Sequence, residues 1–258
     1  MTLIHPTALI DRKAEVAEGV TIGAYSVIGA DVKIASGTQI GSHVVVKGPT
    51  SIGKDNRIYQ FASIGEDPQD KKYAAEVTRL EIGDRNTIRE FTSMHRGTKQ
   101  DRSVTRIGSD NLFMAYTHVA HDCLIGDHVI MANGASLAGH VRLNSHAILG
   151  GFTLVHQFTQ IGEYSFAAMG SAITQDVPPF IMVGGKPTRP HGINSVGMER
   201  NGISADDIRL IRKAYKIIYK TNLRLEDAIE QMEDMAGDSK PVSDMVSFLR
   251  NVTRGILR

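Results

Sequence analysis

The chain has 258 residues, 29 basic and 28 acidic, a formal net charge of +1, and 41% hydrophobic and 22% charged content. That composition excludes intrinsic disorder, and the near-neutral total argues against nucleic acid, whose phosphates demand a basic surface. One cysteine, Cys123, excludes an intrachain disulfide, and without a charged-then-apolar leader or an 18-residue apolar run a cytoplasmic protein with no membrane span is expected.

From Ile4 the chain places an apolar, β-branched residue at every sixth position: Ile4, Ile10, Val16, Ile22, Ile28, Ile34, Ile40, Val46, Ile52, Ile58 and Ile64. At this composition eleven hits in a row have a chance of roughly 5 in 100,000. The pattern breaks at Asp70 and Glu76, returns at Ile82, Ile88 and Met94, and restarts in a new phase from Ile107 through Ile173, ending at Pro178-Pro179. Six residues are too few for a helical repeat but fit one short strand and a turn, with the branched residue inward. Three such units close a triangular coil, and coils stacked about 4.8 Å apart bury each other's edges. The 26 or so hexads then predict nearly nine coils, a prism about 40 Å long.

The fold expected is all-β, a parallel β-helix of hexapeptide repeats over 1–186, followed by a C-terminal α-helical domain over 187–258. Residues 66–80 and 95–106 are read as loops thrown out of the prism, positions where function concentrates. In the tail, Ser204 with Asp207 forms a capping-box-like start, and Ile208, Ile211, Tyr215 and Ile218 make one apolar stripe. The opposite face is basic, with Arg209, Lys213, Lys216 and Lys220. Charge is divided accordingly, net −2 over residues 1–185 and net +3 over residues 186–258. Shorter amphipathic segments follow near 225–235 and 242–253.

Because one coil takes 18 residues, positions compared modulo 18 show which side chains stack. His121, Gly139 and Gln157 share one remainder, and His118, His140 and His156 fall within three positions of it, whereas His128 and His146 share another edge. A polar file therefore runs up one side of the prism. Histidine, with an ordinary pKa of about 6.5, is well suited to take a proton from a hydroxyl at neutral pH. Asp122 could orient the His121 imidazole, but adjacent strand residues face opposite ways, so the pairing needs a local bend. Histidines in this number could instead hold zinc, as in hexapeptide-type carbonic anhydrases, although Asp122 is the one evident acidic partner. Cys123 is read as packed rather than reactive.

The segments QDKKY at 69–73, MHRGT at 94–98, THVAHDC at 117–123, LAGHV at 137–141, GGFTLVHQF at 150–158, DVPP at 176–179 and the closing TRGILR together resemble the UDP-N-acetylglucosamine 3-O-acyltransferases, over nearly the whole chain. The resemblance implies left-handed winding, a homotrimer with clefts between subunits, and transfer of a 3-hydroxyacyl chain from acyl carrier protein to the sugar 3-hydroxyl, the first step of lipid A biosynthesis, with no cofactor and no metal. It implies His121 as general base and the Gly139 N–H as oxyanion donor. Gln69, Asp70, Lys72, His118, His140, His156 and Gln157 then correspond to sugar and acyl-hydroxyl contacts, with His95 nearby and Lys72 reaching into the neighbouring subunit's cleft. Asn194 and Arg200 correspond to nucleotide contacts.

Two departures from the family pattern stand out. Val196 replaces an acid, and Asn201 follows Arg200 where a second arginine is typical. Met169 takes the place of a glycine that lets long acyl chains pass in some members, which predicts a chain of about ten carbons rather than about fourteen. The basic face of the tail fits the acidic acyl carrier protein. The sibling N-acyltransferases bear an extra N-terminal uridine-binding domain, for which hexads starting at residue 4 leave no room. A catalytically silent scaffold is the third reading, disfavoured by the alignment of His121 with Gly139.

Overall fold

The computed structural model describes residues 2–237 and 239–258. Strands of two to four residues repeat along the chain and pair in parallel within three sheets, so each coil contributes one strand to each face of a left-handed prism. Successive coils align residues 18 apart, as Ile4 with Ile22 and Val119 with Leu137. The sixth-position residues point inward as expected: from Ile22 to Ile173 those of both phases are at most 5% exposed. The first coil is the exception, with Ile4 45% exposed and Ile10 and Val16 half-buried, because no coil lies beneath it to cover them.

The two loops leave the ladder without breaking it. Partners 18 apart become 30 apart across the first, as Ile58 with Ile88, and 25 apart across the second, as Met94 with Val119. Twelve inserted residues preserve the hexad phase and seven shift it by one, which accounts for the two phases of the sequence. The connections themselves are 67–78 and 96–103. They are shorter than expected because the strands Ser63–Glu66, Arg79–Ile82, Ser93–His95 and Val104–Ile107 lengthen to three or four residues as they enter and leave them.

At the far end the change of architecture comes later than residue 187. Strand Ile181–Gly184 continues one sheet in parallel, and Arg189–Ile193 returns antiparallel to it. Pro190 is tolerated there because this is the outermost strand. The helices are α1 (Ser195–Arg200), α2 (Ala205–Lys220), α3 (Leu225–Ala236) and α4 (Lys240–Arg250). The Ser204 hydroxyl accepts from the Asp207 N–H at 3.1 Å and donates to the Asp207 carboxylate at 2.7 Å, the reciprocal cap expected at α2. Ile208, Ile211, Tyr215 and Ile218 are buried and join the prism core, so a single apolar core runs from the coils into the helices. The Leu257 N–H donates to the Asp176 carbonyl at 2.9 Å, tying the tail back to the last coil.

Candidate active site

The site forms on one edge of the prism, where the chain turns between the strands His118–Val119 and Leu124–Ile125 and their equivalents one and two coils on. Asp122, His140 and Phe158 occupy the left-handed turn position in three successive coils, with φ of 59°, 64° and 63°. The residue before each forms the file: the His140 N–H donates to the His121 carbonyl at 3.0 Å and the Phe158 N–H to the Gly139 carbonyl at 3.1 Å. His121, Gly139 and Gln157 therefore stack coil upon coil.

The left-handed residue supplies the bend that an adjacent pairing requires. His121 Nδ1 lies 2.9 Å from Asp122 Oδ2, and the Asp122 side chain is wholly buried. Burial opposes ionisation of that carboxyl, but hydrogen bonds from His121 and from Thr98 outweigh it and hold Asp122 below the usual carboxylate range. Thr98 gives both its N–H, at 2.9 and 3.1 Å, and its hydroxyl, at 2.6 Å, while the Asp122 N–H donates to the Thr105 hydroxyl at 2.8 Å. With Nδ1 oriented by the carboxylate, Nε2 is the nitrogen left for a substrate.

That nitrogen lies over Gly139. A Cβ on Gly139 would sit 2.8 Å from Nε2 and 2.5 Å from Cε1, so the ring occupies space that any larger residue would claim. Among the described residues the Gly139 N–H donates to no protein acceptor. An imidazole nitrogen and an amide N–H thus sit one coil apart, and His121 lines a cleft of about 890 Å3.

Gln69, Asp70, Lys72, His121, Asp122, His140 and Gln157 line this cleft, so hexad arithmetic and the first loop converge on one place. His140 stacks on Phe158 with ring centroids 4.3 Å apart, and its Nδ1 lies 3.0 Å from Asp101 Oδ2 in the second loop. Nearby, His118 Nδ1 lies 2.8 Å from the Ser93 hydroxyl, and the His118 ring meets that of His95 edge-on at 4.9 Å. Burial pushes both below the ordinary histidine value, His95 to about 4. His156 is exposed, with Nδ1 3.1 Å from the Gln157 carbonyl, outside the cleft lining.

Asn194 holds the start of the first helix. Its side chain caps α1 by accepting from the Gly197 N–H at 3.0 Å and donates to the Tyr164 carbonyl at 2.9 Å. Arg200 is exposed at the end of the same helix, and Met169 is 79% exposed on another edge of the prism. Thr98, Asp101 and Phe158 belong to the site and were missed by sequence reasoning. Phe158 carries the modulo-18 remainder of His140 and was within reach of that arithmetic; the two loop residues follow no period.

As a metal centre, the group that converges is His121, Asp122 and His140, whose ligand atoms lie within 4.8 Å of one another. The His121 and Asp122 atoms are at hydrogen-bond distance, and His140 Nε2 is 3.9 Å from the same carboxylate oxygen.

Two family profiles match: bacterial transferase hexapeptide repeats over residues 105–139 and UDP-N-acetylglucosamine O-acyltransferase, domain 2, over residues 176–257. The chain is 53% identical to the acyl-acyl-carrier-protein:UDP-N-acetylglucosamine O-acyltransferase of Herminiimonas arsenicoxydans and 57% identical to that of Halorhodospira halophila, covering all of both chains in each case. Among solved structures, the UDP-N-acetylglucosamine O-acyltransferase of Moraxella catarrhalis superposes with a TM-score of 0.97 at 43% identity, with 99% of each chain covered. The corresponding acyltransferase of Francisella novicida gives 0.97 at 38% identity, over 99% of this chain and 94% of that one.

Proposed function

Since the chain belongs to the UDP-N-acetylglucosamine O-acyltransferase family, and is an acyltransferase, we propose that it moves a (R)-3-hydroxyacyl chain from acyl carrier protein to the 3-hydroxyl of UDP-N-acetylglucosamine, opening lipid A biosynthesis, with His121 as general base. The observation carrying this is the His121 ring held by Asp122 at 2.9 Å and seated against Gly139.

In the reaction the sugar 3-hydroxyl gives its proton to His121 Nε2 as its oxygen attacks the thioester carbonyl carbon. The Gly139 N–H donates to the oxyanion that forms, and Asp122 accepts from Nδ1–H and stabilises the imidazolium. Collapse of the tetrahedral intermediate breaks the carbon–sulfur bond. The departing thiolate takes the proton back from Nε2, so protons balance over the cycle and no cofactor is required.

Gln69, Asp70 and Lys72 bring polar groups to the cleft from the first loop, and His140 and Gln157 from the coils, as a hydroxyl-rich sugar needs. His118 and His95 sit behind the base, and His156 at its margin. Asn194 and Arg200 are assigned to the nucleotide, with Arg200 supplying the charge. The prism with its closing strands, up to Ile193, and the helices that follow it act together in a cytoplasmic homotrimer whose clefts lie between subunits, Lys72 of one reaching the cleft of the next. Incubating purified protein with UDP-N-acetylglucosamine and 3-hydroxyacyl carrier proteins of graded length, with products read by mass spectrometry, tests the reading. O-acylated sugar nucleotide is expected from the wild type, with and without chelator, and none from His121→Ala. Full activity in His121→Ala, or activity that a chelator removes and zinc restores, overturns it.

A further inference from the structure

The second loop enters with three consecutive residues, Arg96, Gly97 and Thr98, that are all buried although they lie outside the prism. Arg96 faces the first loop. Its guanidinium donates to the Gly65 carbonyl at 2.5 Å, to the Asp67 carboxylate, and to the Tyr73 hydroxyl at 3.1 Å. The single Tyr73 O–H in turn is shared between the Asp67 carboxylate at 3.1 Å and the Glu76 carbonyl at 3.3 Å. Gln69, Asp70 and Lys72 lie between the two clasped positions, so one guanidinium closes the base of the loop that carries them. Two residues on, Thr98 places three hydrogen bonds on Asp122. Gly97 allows the connection: a Cβ there would lie 2.2 Å from the Val104 nitrogen, so only glycine lets the strand edge and this segment run so close.

We propose that residues 96–98 are a positioning strap that ties the substrate loop to the base, Arg96 fixing loop 67–78 over the cleft and Thr98 fixing Asp122 and through it the His121 ring. This rests on the acyl-transfer reading above for which substrate each half serves. Neither Arg96 nor Thr98 lines the cleft, so both act through other residues. The strap has two separable halves: one governs capture of the sugar nucleotide, the other the proton transfer.

Arg96→Lys keeps the charge and loses the fork that reaches three acceptors at once. It is expected to raise KM for UDP-N-acetylglucosamine about tenfold, the factor given by one lost hydrogen bond to a charged group, with kcat within about twofold of wild type. It should also speed tryptic cleavage after the exposed Lys71 and Lys72 in the folded protein. Thr98→Val is expected to do the reverse, lowering kcat about tenfold and displacing the acid limb of its pH profile while leaving the sugar KM in place, with Thr98→Ser restoring both. Should Arg96→Lys fail to fold, Tyr73→Phe removes one hydroxyl from the same clasp and is read in the same way. The strap is overturned if the Arg96 or Tyr73 variant leaves both KM and the cleavage rate unchanged, or if Thr98→Ser behaves like Thr98→Val. Because cleavage needs no turnover, a wild type inactive toward this sugar would refute the reaction, and the cleavage rate would still decide the strap.

Discussion

Gly139→Ala probes the site through a single added methyl group. Gly139 does not use a left-handed backbone, so alanine suits its conformation, and the whole effect comes from the space above it. The new Cβ would stand 2.5 Å from Cε1 and 2.8 Å from Nε2 of His121. Ordinary contact begins near 3.4 Å, so the imidazole must retreat by about 0.9 Å in a closely packed wall. That movement pulls Nδ1 away from the 2.9 Å bond to Asp122 and displaces Nε2 from the position the proposed proton transfer needs. A misplacement of about 1 Å costs about 100-fold in rate, and screening of the Gly139 N–H, the proposed oxyanion donor, adds to it. We therefore expect kcat/KM to fall by at least about 100-fold, a barrier increase of about 2.7 kcal/mol, with the thermal midpoint within a few degrees of wild type. The assay is steady-state turnover of UDP-N-acetylglucosamine with 3-hydroxyacyl carrier protein, beside a melting curve. An alanine variant retaining a third or more of wild-type kcat/KM would refute the reasoning, since neither the ring position nor the amide could then matter.

Met169→Gly should move acyl preference from about ten carbons toward about fourteen, because the side chain is 79% exposed rather than packed in the core; competition between carrier proteins of graded chain length measures it, and unchanged selectivity sinks the ruler role. Reversing charge at Lys213 and Lys216, both exposed on α2, should raise the carrier KM about tenfold at low salt, an effect that fades as salt rises, while the sugar KM stays put. His95 is held neutral by burial, with a pKa lowered to about 4, so its contribution is complete above the unfolded value near 6.5 and is lost as pH falls toward 4. By pH 5 this amounts to about 2 kcal/mol of destabilisation, and urea unfolding of His95→Gln at pH 7.5 and pH 5 should show that dependence flattened.

How much of this was legible follows from which residues obey the period. A side chain at every sixth position must fill a closed interior, so chemistry and spacing are constrained together, and Ile22 through Ile173 could be placed from the sequence alone. The same arithmetic put His121 above Gly139, because 18 residues per coil is a geometric rule independent of what the side chains do. It failed where the chain leaves the rule. Strand Arg189–Ile193 contains Pro190 and Gly192 and lacks alternation, so it carries no strand signal; its partner, Ile181–Gly184, makes it a strand. Asn194 was assigned by motif to the nucleotide, and what no motif gave is the cap its amide makes with the Gly197 N–H and the Tyr164 carbonyl at the start of α1.

The His121–Asp122 pair is the instructive middle case. Alternation along a strand argues against it, and it forms because Asp122 takes a φ of 59°, a conformation that aspartate tolerates better than most residues. The same turn takes a left-handed residue at Asp31, His140 and Phe158, so the bend belongs to the repeat, and a carboxylate placed there converts a scaffold feature into a partner for His121. What the repeat cannot supply is burial of that carboxylate. Thr98 and the seven-residue insertion that carries it do so, and the same insertion shifts the hexad phase. The break in periodicity that looks like an interruption of the fold is thus the element that completes the site.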